Sequence, residues 1–167
     1  LEVYSIQKEL GRIDGIRIAM VGDLAYGRTV HSLSYMLTNF KNVHLDFIAP
    51  DNVRIPLEVK RYLVEKNVSF EETSDLYAAV READVVYQTR IQKERFHSME
   101  EYEKASGKYT IDARVLEAMR KDAIVLHPLP RAGEIDPAVD RDPRAAYFRQ
   151  AQNGLYMRMA LIAKCLS

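Results

Sequence analysis

Ile16-Arg-Ile-Ala-Met-Val-Gly-Asp-Leu-Ala-Tyr-Gly-Arg-Thr29 is the stretch that decides the fold. Its opening run, Ile16 to Val21, is apolar and β-leaning, as a buried strand requires. The run breaks at Gly22-Asp23. A second glycine, Gly27, precedes Arg28. From Thr29 to Phe40 the residues Val30, Leu33, Met36, Leu37 and Phe40 then fall on one helical stripe. The same alternation continues outward. Val43 to Ala49, the more polar Val68 to Glu72, Asp84 to Gln88 and Ala123 to Leu126 read as further strands. Leu57 to Lys66, Asp75 to Ala83 and Asp112 to Lys121 read as the helices between them, and a last helix runs from about Arg144 to Leu166.

Strands joined by links long enough to hold a helix pair in parallel through crossovers. The expected fold is therefore α/β: a three-layer, doubly wound parallel sheet of about five strands in the Rossmann-like order 3-2-1-4-5. Ligands bind such sheets beyond the carboxyl ends of the strands, where the order reverses. That point lies between the first and fourth strands.

The chain has 167 residues, which sets a single domain over 1–167 as the expectation. Lys plus Arg and Asp plus Glu number 24 each, so the net charge is zero. This argues against a nucleic-acid partner, whose phosphates draw on a surplus of cations. No apolar run approaches the ~18–20 residues of a membrane span, so no membrane partner is expected. The one cysteine, Cys165, excludes a disulfide framework and points to a reducing, cytoplasmic setting. Cys165 itself is expected to be packed within the last helix. The terminal segments, Leu1 to Gly11 and Ala145 to Leu166, are apolar over more than one face. A helix of that kind is ordinarily buried, so packing on the sheet is expected along most of their length, with docking on a further domain as the alternative. The chain opens in helical pattern without an initiator Met, which suggests a piece of something longer.

Three strand ends carry the chemistry. After the first strand, Gly22 and Gly27 permit tight turns, and Arg28 falls near a helix start, where free N–H groups and a guanidinium fork suit an anion. A plain turn with a solvated Arg is the equal alternative. The spacing is not G-x-G-x-x-G, so a dinucleotide fingerprint is absent. After the fourth strand, Arg90 faces Arg28 across the reversal, and Gln92 offers an amide. Two converging guanidiniums suggest a ligand with two anionic groups, such as a dicarboxylate. Lys93, Glu94 and Arg95 read as a solvated charge run. After the fifth strand, His127-Pro-Leu-Pro-Arg131 freezes the backbone, and its carbonyls are able to orient an amine. His127 reads as a hydrogen-bonded structural residue, and Asp23 and Asp51 as loop caps. His31, His44 and His97 lack partners at ligand spacing, so no metal is expected.

These strand ends together resemble the aspartate carbamoyltransferase family. The segments that carry the likeness are Met20 to Leu33, Tyr87 to Phe96, Leu126 to Arg131 with Glu134-Ile135, and Asp142 to Ala151 with Asn153-Gly154. The sister ornithine carbamoyltransferases carry His-Cys-Leu-Pro where this chain has His127-Pro128-Leu129-Pro130, and their Ser-Met-Gly motif is absent. The resemblance implies the aspartate-binding half of the enzyme. The reaction moves the carbamoyl group of carbamoyl phosphate to L-aspartate, giving N-carbamoyl-L-aspartate and phosphate in pyrimidine synthesis. It implies that Arg28 and Arg90 hold the aspartate carboxylates and that Gln92 supports them. It also implies that the carbonyls of Leu129 and Pro130, around a cis bond, orient the reacting groups. No cofactor and no metal is implied, and no residue of this half is singled out as catalytic. The family's Ser-Thr-Arg-Thr phosphate loop, its His-Pro-Thr-Gln segment and its Ser-Lys loop do not occur here. Carbamoyl phosphate would thus be bound through an N-terminal domain absent from this chain, in a homotrimer. The isolated chain is expected to be almost inactive. The rival readings are a non-catalytic anion-binding or assembly module and, less well supported, an NAD-type oxidoreductase domain.

Overall fold

The computed structural model describes residues 1–166 other than Gln92, Glu94, Arg95 and His97, and within 104–107 the backbone alone. Five strands form one parallel sheet: β1 (Arg17–Val21), β2 (His44–Ile48), β3 (Ser69–Thr73), β4 (Val85–Gln88) and β5 (Ile124–Leu126), in the order β3-β2-β1-β4-β5. In register, Ile18 lies between Leu45 and Val85, and Val85 is opposite Ile124. The expected order is therefore found. The reason is visible in β1: Ile18, Ala19, Met20 and Val21 are all fully buried, as a central strand covered on both faces demands.

Alternate side chains of β1 feed two cores. Ile18 and Met20 join a cluster with Ile6 of α1 (Glu2–Leu10), Leu33 of α2 (Arg28–Leu37) and Leu63 of α3 (Leu57–Glu65). Ala19 and Val21 join a second cluster with Val80 of α4 (Leu76–Glu82) and Val115 of α6 (Ala113–Ala118). Asp75 and Asp112 cap α4 and α6, each accepting a backbone N–H at 3.0 Å. β3 is an outer strand with exposed Glu71 and Glu72, charges that discourage edge pairing.

Three elements depart from the periodicity reading. A helix, α5 (Met99–Lys108), stands where no apolar stripe announces one; its sequence is Glu- and Lys-rich. The proline-rich loop after β5 contains a 3-10 turn, Pro137–Arg141, started by Pro137 and capped by Asp136. The last helix, α7 (Tyr147–Leu166), packs only through its first turns, where Tyr147, Gln150, Asn153 and Gly154 are buried. There it is tied to α1 by Asn153 Nδ2 to Ser5 Oγ (3.1 Å) and by the Arg149–Glu9 ion pair (2.7 Å). Beyond these turns Leu155, Met159, Leu161, Ile162 and Leu166 are exposed, and so is Cys165. The expectation that α7 lies on the sheet along most of its length, with Cys165 packed, is corrected. The reason is length. Twenty residues of helix span about 30 Å, whereas the five-residue strands span about 17 Å. The helix overshoots the layer it starts on. Among the described residues no helix is long and apolar enough to cross a membrane.

The carboxyl ends of β1 and β4 are knitted closely. Thr89 donates both its N–H (2.8 Å) and its hydroxyl (2.9 Å) to the Val21 carbonyl. Gly22, at φ 116°, passes so near that a Cβ there would stand 2.3 Å from the Thr89 carbonyl oxygen. Gly22→Ala is expected to lower unfolding free energy by roughly 2–4 kcal/mol, combining left-handed strain with the clash. Urea denaturation checks this; an unchanged midpoint would show that the loop is free to move aside.

Candidate functional site

The glycine turn, the end of β4 and the loop after β5 meet around an open cleft of about 350 Å³. It lies at the strand-order reversal, on the carboxyl side of the sheet. Arg28, Arg90, Leu129 and Pro130 all line it. The fold thus brings together each sequence-predicted site residue that it describes; Gln92 lies outside the described residues. Arg28 is the first residue of α2, and Gly27 must be a glycine there because a Cβ would meet the Asp23 carbonyl oxygen at 2.4 Å. Asp23 Oδ1 accepts the Tyr26 N–H at 2.9 Å, the loop-cap role expected of it. His31, on the next turn of α2, sits 2.7 Å through Nε2 from the Leu24 carbonyl and ties the loop to the helix. A carbonyl only accepts, so Nε2 carries the proton.

Both guanidiniums are exposed, and among the described residues neither has an ion pair or a hydrogen bond. Arg12, Arg17, Arg131, Arg144 and Arg149 are each tied to a carboxylate instead. Two forks without carboxylate partners, beside the amino end of α2, favour an anionic occupant. Arg131 follows the lining residue Pro130 in sequence but is consumed by Asp140 and the Tyr147 hydroxyl, with its guanidinium against the Tyr147 and Phe148 rings.

The loop after β5 carries a cis Leu129–Pro130 bond, and Leu129 has φ 47°. Beneath it His127 is buried. Its Nε2 lies 2.6 Å from Glu134 Oε1, and its Nδ1 accepts the Leu129 N–H at 2.8 Å. Burial pushes the Glu134 carboxyl up, but the hydrogen bonds from His127 and from the Ala132 N–H (2.9 Å) outweigh it, so the group sits below its ordinary range. Of the charge run, Lys93 is among the described residues, whereas Glu94 and Arg95, like His97, lie outside them.

One grouping escaped the sequence reading. His44, Asp46 and Glu71 bring ligand-type atoms within 4.8 Å of one another across β2 and β3. Alternation on neighbouring parallel strands was the signal available. Arg17 already holds the cation position: Nε and Nη2 bind Asp46 at 2.7 and 2.8 Å, and Nη2 reaches Glu71 at 3.4 Å. The grouping lies at the amino end of β2, away from the cleft.

A doubly wound sheet with two guanidiniums unpaired among the described residues and a cis-proline loop at its reversal defines an α/β domain whose cleft suits a small anion. Comparison with known proteins sharpens this class. Residues 14–165 match the model of the aspartate/ornithine carbamoyltransferase Asp/Orn-binding domain, and the chain belongs to that family. Chloroplastic aspartate carbamoyltransferase of Oryza sativa subsp. japonica is 53% identical over 163 residues, covering 97% of this chain and 45% of the rice protein. The multifunctional protein CAD of Squalus acanthias is 48% identical over 99% of this chain and 7% of its own length. Among solved structures, the catalytic subunit of Methanocaldococcus jannaschii aspartate transcarbamoylase superposes with TM-score 0.93 at 48% identity. That match covers 98% of this chain and 53% of the archaeal one. Aspartate transcarbamoylase of Trypanosoma cruzi in complex with aspartate and phosphate gives 0.83 at 40%, over 96% of this chain and 50% of that one. The chain thus spans about half the length of its stand-alone relatives.

Glu134 binds its proton less readily when folded than when unfolded. Its contribution to stability is therefore complete above the ordinary glutamate pKa and is lost as pH falls through the lower folded value. Glu134→Gln is expected to flatten the acid limb of the stability–pH curve, read by thermal unfolding between pH 3 and 6. An unaltered slope would assign acid sensitivity to other carboxylates.

Proposed function

We propose that this chain is the L-aspartate-binding half of an aspartate carbamoyltransferase. The observation that carries the reading is the placement of Arg28 and Arg90, without carboxylate partners, in one cleft with Leu129 and Pro130. Aspartate has two carboxylates and one amine. Each guanidinium takes a carboxylate in bidentate fashion, and Gln92 supports that grip. The carbonyls of Leu129 and Pro130 accept hydrogen bonds from the reacting amine and carbamoyl nitrogen. In the reaction the amine nitrogen forms a C–N bond to the carbamoyl carbon. The C–O bond to phosphate breaks, phosphate departs with the electron pair, and the nitrogen sheds a proton. No covalent enzyme intermediate is needed, and the rate enhancement rests on positioning two substrates. Aspartate is favoured over ornithine because two guanidiniums oppose a cationic side chain.

Carbamoyl phosphate is held by the half of the enzyme that relatives possess beyond the span matched here. The exposed apolar face of α7 is a natural seat for it. We further place the parent protein in a homotrimer and in the cytoplasm, on the family resemblance and the single cysteine; the plant relatives carry a chloroplastic designation. No cofactor, nucleic acid or membrane enters this reading.

An amide-shift NMR titration tests it. L-aspartate is expected to move Arg28, Arg90 and Leu129 to Arg131 saturably, and D-aspartate to move them more weakly. Arg28→Ala and Arg90→Ala are each expected to weaken binding by at least about tenfold, the worth of one lost charged hydrogen-bond pair. The chain alone is expected to give no carbamoyl aspartate, and supplying the other half is expected to restore turnover. Turnover by the chain alone, at the rate of a complete enzyme, sinks the half-site reading. Saturable binding without turnover after reconstitution favours the non-catalytic module.

A further inference from the structure

We propose that His127 is a positioning residue, which sets the Leu129 peptide that walls the cleft by accepting its N–H on Nδ1. The inference rests on the aspartate-binding reading and adds to it a cleft-lining residue that acts through the loop backbone. His127 lines the cleft but is only 2% exposed, and both of its ring nitrogens are engaged by partners within the protein. Those partners determine its state. A backbone N–H is only a donor, so Nδ1, 2.8 Å from the Leu129 nitrogen, must be the unprotonated nitrogen. Nε2 then carries the ring proton and gives it to Glu134 Oε1 at 2.6 Å. The second Glu134 oxygen takes the Ala132 N–H at 2.9 Å. One imidazole and one carboxylate therefore collect the backbone of residues 129 and 132.

The far side is fixed as well. The His127 N–H donates to Gln150 Oε1 of α7 at 2.9 Å. The His127 backbone is thus held by α7, its ring by Glu134, and the Leu129 peptide by the ring. Leu129 has φ 47°, a conformation that residues with side chains seldom hold unaided. The bond to Nδ1 is what the loop supplies to hold it there. Carboxylate, histidine and backbone form a relay of orientation, much as a carboxylate fixes the tautomer of a metal-bound imidazole, but here the recipient is a peptide group. A merely structural histidine would bind core elements to one another. This one spends both ring nitrogens on a single surface loop.

Two substitutions separate the arms of the ring. The amide oxygen of His127→Asn stands where Nδ1 stood and keeps the Leu129 bond, but it cannot reach Glu134. His127→Gln extends toward Glu134 and loses the Nδ1 acceptor. Both are expected to lower the melting temperature. His127→Asn is expected to keep L-aspartate affinity within about threefold, and His127→Gln to weaken it by at least about tenfold, the cost of an unmade hydrogen bond at the loop. In the unsubstituted chain, a nitrogen–nitrogen coupling across the Leu129 N–H···Nδ1 bond is expected by NMR. The Leu129 amide–α-proton coupling, which reports φ, is expected to change in the Gln variant alone. Equal loss of affinity in both variants, in step with melting temperature, overturns the proposal. So does unchanged affinity in both. If the chain does not bind L-aspartate, the functional reading fails by itself, and the couplings still decide the clamp: their absence overturns it, and their presence with the Gln-specific change upholds it.

Discussion

The carbonyl of Val21 accepts both hydrogens that Thr89 has to give, and the rest of the cleft depends on that junction. It fixes the spacing of β1 and β4 at their carboxyl ends, the one place where the strand order reverses and the crossover helices part to opposite faces. Gly22 lets the two backbones close to a distance that no side chain would tolerate. Arg28 and Arg90 are carried on the two chains leaving this junction. Their convergence is thus a property of the backbone crossing, and side-chain packing adds only the final aim.

Charge is distributed in keeping with this. The chain is neutral overall, and its guanidiniums differ in what the fold places beside them. Those of Arg12, Arg17, Arg131, Arg144 and Arg149 are paired and serve the fold. Those at the cleft are left without carboxylate partners among the described residues. A paired guanidinium has little left to offer a ligand, because its fork and its field are already taken. Arg131 illustrates the difference. It follows the cis-proline loop directly, yet Asp140 and Tyr147 convert it into a strut.

The two halves of α7 have different work. Its first turns carry Gln150 and Asn153, polar groups buried against the β5 loop and α1. The later turns present an apolar face to solvent that the sheet is too short to cover. Such a face fits a chain that matches about half of its relatives' length. The same helix thus braces the cleft loop at one end and presents an apolar face at the other.

Strand periodicity, glycine positions and the alternation of strand with helix were enough to specify the sheet, its order and the end at which the cleft opens. These are local patterns, and backbone geometry converts them to topology with few alternatives. Arg28, Arg90, Leu129 and Pro130 were legible because each sits in, or at the end of, the loop or turn that leaves the carboxyl end of β1, β4 or β5. Helix α5 was not, since a charged segment without an apolar stripe carries no periodic signal. The overhang of α7 was not, because a helix that is apolar all round looks the same whether its partner is in the chain or outside it. Neither were the Arg17–Asp46–Glu71 network and the state of His127. Those depend on which residues meet across strands and loops distant in sequence, and only the closed tertiary structure sets that contact map. The sequence by itself determined where the cleft lies and which charges it holds. The tertiary structure decided which charges stay free, because a guanidinium is free or paired only according to what the fold places beside it.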